Sequence, residues 1–274
     1  MPVALVTDST STVTELPGIG VVPLNVMIDA RTYEEGHTIG PEGLAHHLKS
    51  GAQVRTGAPS ATRFAETYKK MAAQGATEIV SIHISEALSQ TALEARTAAA
   101  TVGVRVHVVD SRTVGGGLRR AVLAASDLAK RGADAGRVAE AARQVGASSR
   151  TWMAVASLDY LRAGRRISAV QAAVGAMTGV RPLLQIQDGD VELVERVVGT
   201  RRTRDRVVAL AMADAAQRRD PTIVVHHLAS PELANDAAGA IRAGGFERVE
   251  IVELPAAIGA HGGPGVLSVA VADF

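Results

Sequence analysis

Hydroxyls, one histidine and two arginine clusters mark where this chain could handle an anion. The apolar runs Val3–Thr7, Ile79–Ile84 and Val104–Val109 stop abruptly on small polar residues, at Asp8-Ser9-Thr10-Ser11, at Ser85 and at Asp110-Ser111. Thr56-Gly57-Ala58-Pro59-Ser60 reads as a small-residue turn feeding a helix. Such a turn offers unpaired N–H groups beside a hydroxyl, which together attract negative charge. Taken singly, the Ser9 and Ser111 hydroxyls are equally well explained as helix N-caps, whereas Ser85 and the Thr56–Ser60 turn suit a pocket better. His261 is different, because it stands in Ile258-Gly259-Ala260-His261-Gly262-Gly263-Pro264-Gly265. That many glycines predict a loop whose backbone approaches something closely. Arg162, Arg165 and Arg166 form one cationic stretch and Arg201, Arg202, Arg204 and Arg206 another. On their own, such runs read as solvated faces.

Other chemistries find little support. Gly115-Gly116-Gly117 follows a strand and opens a helix, but Arg120 stands where a dinucleotide fingerprint needs glycine, and no P-loop occurs. A nucleotide cofactor is therefore not expected. His46 and His47 diverge by about 100° on a helix, and His226 and His227 face opposite sides of a strand. With no cysteine and no H-E-x-x-H pattern, no metal site is expected. There is no G-x-S-x-G elbow. A serine hydrolase using Ser85 or Ser111 with His261 stays open as an alternative.

These residues need elements to position them. β-branched runs followed by helical patterns predict parallel strands at Val3–Thr7, Ile79–Ile84 and Val104–Val109, with helices at Pro59–Gln74, Glu86–Thr101 and Gly117–Lys130. An extended Val21–Ile28 and helices at Pro41–Lys49 and Asp134–Val145 complete an N-terminal α/β domain, residues 1–149. After about residue 150 the rhythm changes. Val180–Ile186 and Val191–Val198 flank Asp188-Gly189, a hairpin signal, and a helix is expected at Ala169–Thr178. Residues 150–274 thus read as a second α/β domain with a mixed, partly antiparallel sheet. In such folds ligands bind beyond the carboxyl ends of the strands.

Composition narrows what the ligand is. Apolar residues make up 47% of the 274 and aromatics 3%, so a large cavity must be walled by aliphatic side chains, which suits a flexible aliphatic ligand. A net charge of +1 and few aromatics argue against nucleic acid. No run approaches the length needed to span a bilayer and the first residues lack a signal-peptide pattern, so a cytoplasmic protein without stable membrane insertion is expected.

Taken in order, several segments resemble the DegV family of bacterial lipid-binding proteins. They are TDSTS (Thr7–Ser11), VPLNV (Val22–Val26), TGAPS (Thr56–Ser60), HISEALSQT (His83–Thr91), VVDSRTVGGG (Val108–Gly117), LDYLRAGRRIS (Leu158–Ser168), GVRPLL (Gly179–Leu184) and GAHGGPG (Gly259–Gly265). The resemblance implies two α/β domains with a long-chain fatty acid in a tunnel between them. It implies a carboxylate met by Thr56, Gly57, Ser85, Arg166, His261 and Gly262. It further implies a subunit that presents this carboxylate to a separate ATP-dependent fatty acid kinase, which makes the acyl phosphate. Arg166 would act electrostatically on the transferring group, and Arg201 and Arg202 would engage the kinase. No cofactor is implied, and the chain would not be an enzyme on its own. Another anionic amphiphile remains an alternative cargo. The chain departs from the family pattern at Gly57, where a hydroxyl is lost, and at Glu86, where a serine is usual. Glu86 is expected to face solvent.

Overall fold

The computed structural model describes residues 2–13, 16–155, 157–163 and 180–273. The helix expected at Ala169–Thr178, together with Arg166 and Ser168, lies outside the described residues.

Strands β1 (Val3–Asp8), β2 (Ile19–Val22), β6 (Glu78–His83) and β7 (Arg105–Asp110) form a parallel sheet in the order β2-β1-β6-β7. Burial on both faces explains the apolar runs of the two central strands, β1 being buried at every residue and β6 at all but its first, whereas the edge strands β2 and β7 are mostly half-buried. The expected single extended stretch over Val21–Ile28 is in fact two strands. Pro23 cannot donate to a sheet ladder, and the chain leaves β2 there to begin β3 (Asn25–Ile28) in a different sheet. β3 pairs antiparallel with β4 (Arg31–Glu34) and with β5 (Val54–Gly57). Both flanking strands are short and polar, which is why no apolar run announced them.

Helix α1 (Pro41–Lys49) starts on a proline, as expected. α2 (Ala61–Ala73) is capped by the Ser60 side chain, which accepts from the Arg63 amide. α3 runs only over Thr91–Ala99, because the segment after β6 first makes a turn closed by Leu88 and Ser89 amides on the Ser85 carbonyl. α4 (Gly116–Lys130) and α5 (Ala135–Ser148) follow, the latter capped by Asp134.

The remaining strands build a six-stranded mixed sheet from β8 (Arg150–Ala154), β9 (Val180–Gln187), β10 (Asp190–Val198), β11 (Pro221–His227), β12 (Val249–Glu253) and β13 (Leu267–Asp273), in the order β10-β9-β8-β13-β11-β12. Only the β11–β12 pair is parallel. The β9–β10 hairpin turns at Asp188 and Gly189, both with positive φ (55° and 94°), the geometry that favours Asp-Gly in a two-residue turn. α6 (Asp159–Ala163), α7 (Thr200–Ala215), α8 (Pro231–Ala243) and α9 (Ala256–Gly262) complete the described helices. One apolar cluster runs from β1 and β6 through α4 to Met153, Leu184 and Ile258, so the two halves share a core. Among the described residues no helix is long and apolar enough to cross a membrane.

Candidate functional site: a cavity between the two sheets

Three elements bring the sequence's anion-binding candidates together. Thr56 and Gly57 end β5, a strand where a turn was expected, and β5 is held in register by Val26 opposite Thr56. His261 lies in the last turn of α9 rather than in a loop. The reason is local: Pro255 precedes the first turn, Ala256-Ala257-Ile258 and Ala260 favour the helix, and Gly263 ends it with φ +74°. Gly263 has no room for a side chain, since a Cβ there would sit 2.2 Å from the Tyr160 ring. Across the gap, Thr56 Oγ1 and His261 Nε2 are 2.8 Å apart, although 205 residues separate them in sequence.

This pair borders a cavity that holds about 710 Å³ of atom-free space, part of it open to solvent. Thr56, Gly57, His261 and Gly262 all line it. The rest of the wall is aliphatic: Leu24, Ile84, Leu88 and Val114 come from the N-terminal half, and Met153, Leu161, Leu184, Ile186, Val191 and Ile258 from the C-terminal half. Thr10 and Ser89 add hydroxyls. Strands β8 and β9 pair Met153 with Leu184, so one face of the mixed sheet forms a continuous aliphatic wall. A slot greasy along its length with a few polar groups is what a ligand with an apolar body and one polar tip requires.

The placement of the other candidates is mixed. Ser85 is buried, and its hydroxyl donates to the Gly189 carbonyl at the β9–β10 tip, 2.8 Å away. It does not line the cavity, whereas Ser89, four residues on, does. The HISEALSQT segment carries both serines, and sequence reasoning took the first because it ends the strand. Only the intervening turn, which delays α3 until Thr91, turns Ser89 toward the void. Ser89 Oγ also lies 2.8 Å from Thr91 Oγ1. Glu86 is exposed and paired with Arg96, as the solvent-facing expectation required. Ser111 is buried with its hydroxyl on the Thr113 carbonyl. Arg201 and Arg202 are exposed on the first turn of α7. Arg204, one turn on, brings its guanidinium to 3.7 Å from where a Cβ on Gly265 would be. The half-buried Arg204 therefore brings the start of α7 next to the glycine-rich segment after His261.

A serine–histidine–aspartate chain does exist, one that sequence spacing did not reveal. Asp8 Oδ2 meets His83 Nδ1 at 3.1 Å, His83 Nε2 meets Ser81 Oγ at 2.6 Å, and Ser81 Oγ meets Tyr68 OH at 2.8 Å. Asp8, His83, Ser81 and Tyr68 all have 0% exposure. Sealed under α2, with Phe64 edge-on to His83, this chain satisfies buried polar groups and offers no path for an ester. Burial pushes the Tyr68 hydroxyl pKa well above its ordinary value despite the Ser81 bond. The hydroxyls of Ser85 and Ser111 go to the Gly189 and Thr113 carbonyls instead of His261, so the hydrolase alternative lacks the serine–histidine pairing it requires.

The fold and cavity define an α/β protein with an aliphatic cavity where the parallel, the small antiparallel and the mixed sheets approach one another. Residues 2–273 match the model of the DegV family, described as an uncharacterised protein family. A DegV domain-containing protein of Streptomyces coelicolor is 39% identical over 277 residues, covering 99% of this chain and 98% of that one. A DegV domain-containing protein of Deinococcus radiodurans is 32% identical over 285 residues, covering 99% and 98%. This chain belongs to the DegV family. Among solved structures, one described as fatty acid binding of a DegV family protein from Thermus thermophilus superposes with a TM-score of 0.88 at 29% identity over the whole of both chains. The fatty acid binding protein DegV of Bacillus subtilis shares the fold, with a TM-score of 0.88 at 24% identity over the whole of both chains.

Proposed function

We propose that this chain binds a long-chain fatty acid in the inter-sheet cavity, with the carboxylate at Thr56 and His261, and presents it to a separate ATP-dependent kinase subunit. The observation that carries the reading is an aliphatic slot that ends on a hydrogen-bonded Thr–His pair contributed by opposite halves. The binding property described for the Thermus relative supports it. Each buried methylene contributes about 0.8 kcal/mol, so a chain of roughly sixteen carbons gains on the order of 10 kcal/mol before ordering costs. The tail thus supplies affinity and the head supplies tolerance of a charge.

A buried carboxylate is very costly unless donors meet it. With its proton on Nε2, His261 donates to Thr56 Oγ1, and the threonine proton is then available to a ligand oxygen. Ser89 brings a second hydroxyl to the wall, and Gly57 and Gly262 let backbone lie close to the head. Arg166 is assigned an electrostatic role on the transferring phosphoryl group. Arg201 and Arg202, exposed on the first turn of α7, are assigned to contact with the kinase. The reading makes the protein a cytoplasmic carrier rather than a stand-alone enzyme.

Organic extraction of purified protein followed by mass spectrometry tests the ligand. A saturated or monounsaturated acid at near one-to-one ratio is expected. An empty cavity that also takes up no added acid overturns the reading, and recovery of a different amphiphile reassigns the cargo. In a reconstituted kinase assay, Arg166→Ala should cut acyl-phosphate formation far more than lipid binding. Equal losses reject the separate electrostatic role.

A further inference from the structure

Glu35 is a buried carboxyl group with no part in the head-group contacts above. It follows β4, is 4% exposed, and reaches from the small antiparallel sheet to α9. Its Oε1 accepts the Ala257 backbone N–H, and its Oε2 accepts the Ser9 hydroxyl. Ser9 Oγ in turn accepts the Leu24 N–H at 2.9 Å. Ala257 stands one helical turn before His261 on α9. Glu35 also forms a partition. Ala257, Thr10 and Leu24 line the aliphatic cavity, whereas Glu35, Ser9 and Ala256 line a second, outer cavity with His37 and Glu253.

We propose that Glu35 is the positioning residue of the head site, holding the first turn of α9 so that His261 stays against Thr56, and that its ionisation loosens this hold. The proposal rests on the fatty acid reading for its link to affinity, while its structural half stands on geometry alone. Burial pushes the Glu35 carboxyl up to about 7, with nearby Asp8 adding to the rise and the Ala257 and Ser9 bonds opposing it. A group whose ionised form is disfavoured in one arrangement shifts the population, when it ionises, toward an arrangement in which it meets water. For Glu35 that water lies in the outer cavity. The charged and titratable groups around it are Asp8 with His83 behind it, His37 and Glu253 on the outer cavity, Arg119 bonded to the Thr12 carbonyl, and His261 at the far end of α9. Only Glu35 joins that helix to the N-terminal half through a bond to the α9 backbone among these. Ionised, it also places a second negative charge near an anionic ligand.

Glu35→Gln isolates this role, because the amide oxygen still accepts from Ala257 and the amide nitrogen donates to Ser9 Oγ. Protein labelled with ¹⁵N-histidine, its His261 signals assigned with His261→Asn, is titrated from about pH 6 to about pH 8 without and with oleate. In the wild type the His261 signals should show a second inflection near the Glu35 transition, and oleate affinity should fall about tenfold across the range. In Glu35→Gln the second inflection disappears and the fall in affinity across the range is largely abolished. A variant that reproduces both wild-type profiles overturns the proposal. If the wild type binds no oleate at any pH while the second inflection is present and Glu35→Gln removes it, the ligand reading fails and the positioning role stands.

Discussion

Where α4 enters the six-stranded sheet, backbone lies directly on side chains; where α9 approaches β5, a cavity separates the same two halves. At the first joint a Cβ on Gly116 would lie 2.8 Å from the Cβ atoms of Ala270 and Val224 and 2.9 Å from His226 Nε2, so no space is left. At the second, the Thr56–His261 pair and the Glu35 bond to the Ala257 N–H cross the gap, and aliphatic walls stand apart. One seam is closed by glycine contact and fixes the halves, which lets the other seam remain incompletely filled. Close packing is the default of protein interiors, so an open seam needs a rigid one beside it.

Each joint also buries one titratable group, and their effects oppose. Burial pulls the His226 imidazole down to about 4 from 6.5, with Arg119 helping and the Val252 carbonyl resisting. Between those values the unfolded chain holds a proton that the native state lacks, so His226 makes stability fall as pH falls from about 6.5 to about 4. Glu35 keeps its proton in the native state between 4.5 and about 7 while the unfolded chain loses it, so stability falls as pH rises through that window. Each span is worth on the order of 3 kcal/mol. Wild-type stability should therefore be nearly flat across the overlap. In urea unfolding at a series of pH values, Glu35→Gln should expose the His226 slope and His226→Gln the Glu35 slope. Parallel profiles for both variants would break the comparison. A smaller effect is expected from Gly116→Ala, which overpacks the closed joint and should cost about 1–3 kcal/mol with oleate affinity retained. Stability unchanged within a few tenths would show that the seam has slack. Smallest is Ser85→Ala, which leaves the Gly189 carbonyl without its partner and should cost about 1 kcal/mol. Faster hydrogen exchange at the β9–β10 tip, with the rest of the chain unaffected, would locate the change.

What the sequence disclosed follows the same physics. β1 and β6 are buried along nearly their whole length and rich in apolar, β-branched residues, and the half-buried edge strand β7 still carries Val106, Val108 and Val109, so all three were legible. β4 and β5 were not, because Arg-Thr-Tyr-Glu and Val-Arg-Thr-Gly pair by backbone bonds with little apolar signal. His261 was picked out by its glycines, yet the same glycines pointed to a loop, and the alanines beside them decided for helix. Ser89 was missed because its exposure to the cavity depends on a turn that hydrophobic periodicity does not encode. The meeting of Thr56 with His261 is a long-range event that local patterns cannot contain, and it was anticipated only through family resemblance.

The Tyr160 ring resting on Gly263 has a wider implication. Because a positive φ and an aromatic face both exclude a side chain there, a replacement must tilt the ring away and carry the neighbouring Leu161 with it. A change at a residue outside the lining would then reshape the compartment from behind, giving drift in cargo preference a route that leaves every contacting side chain intact.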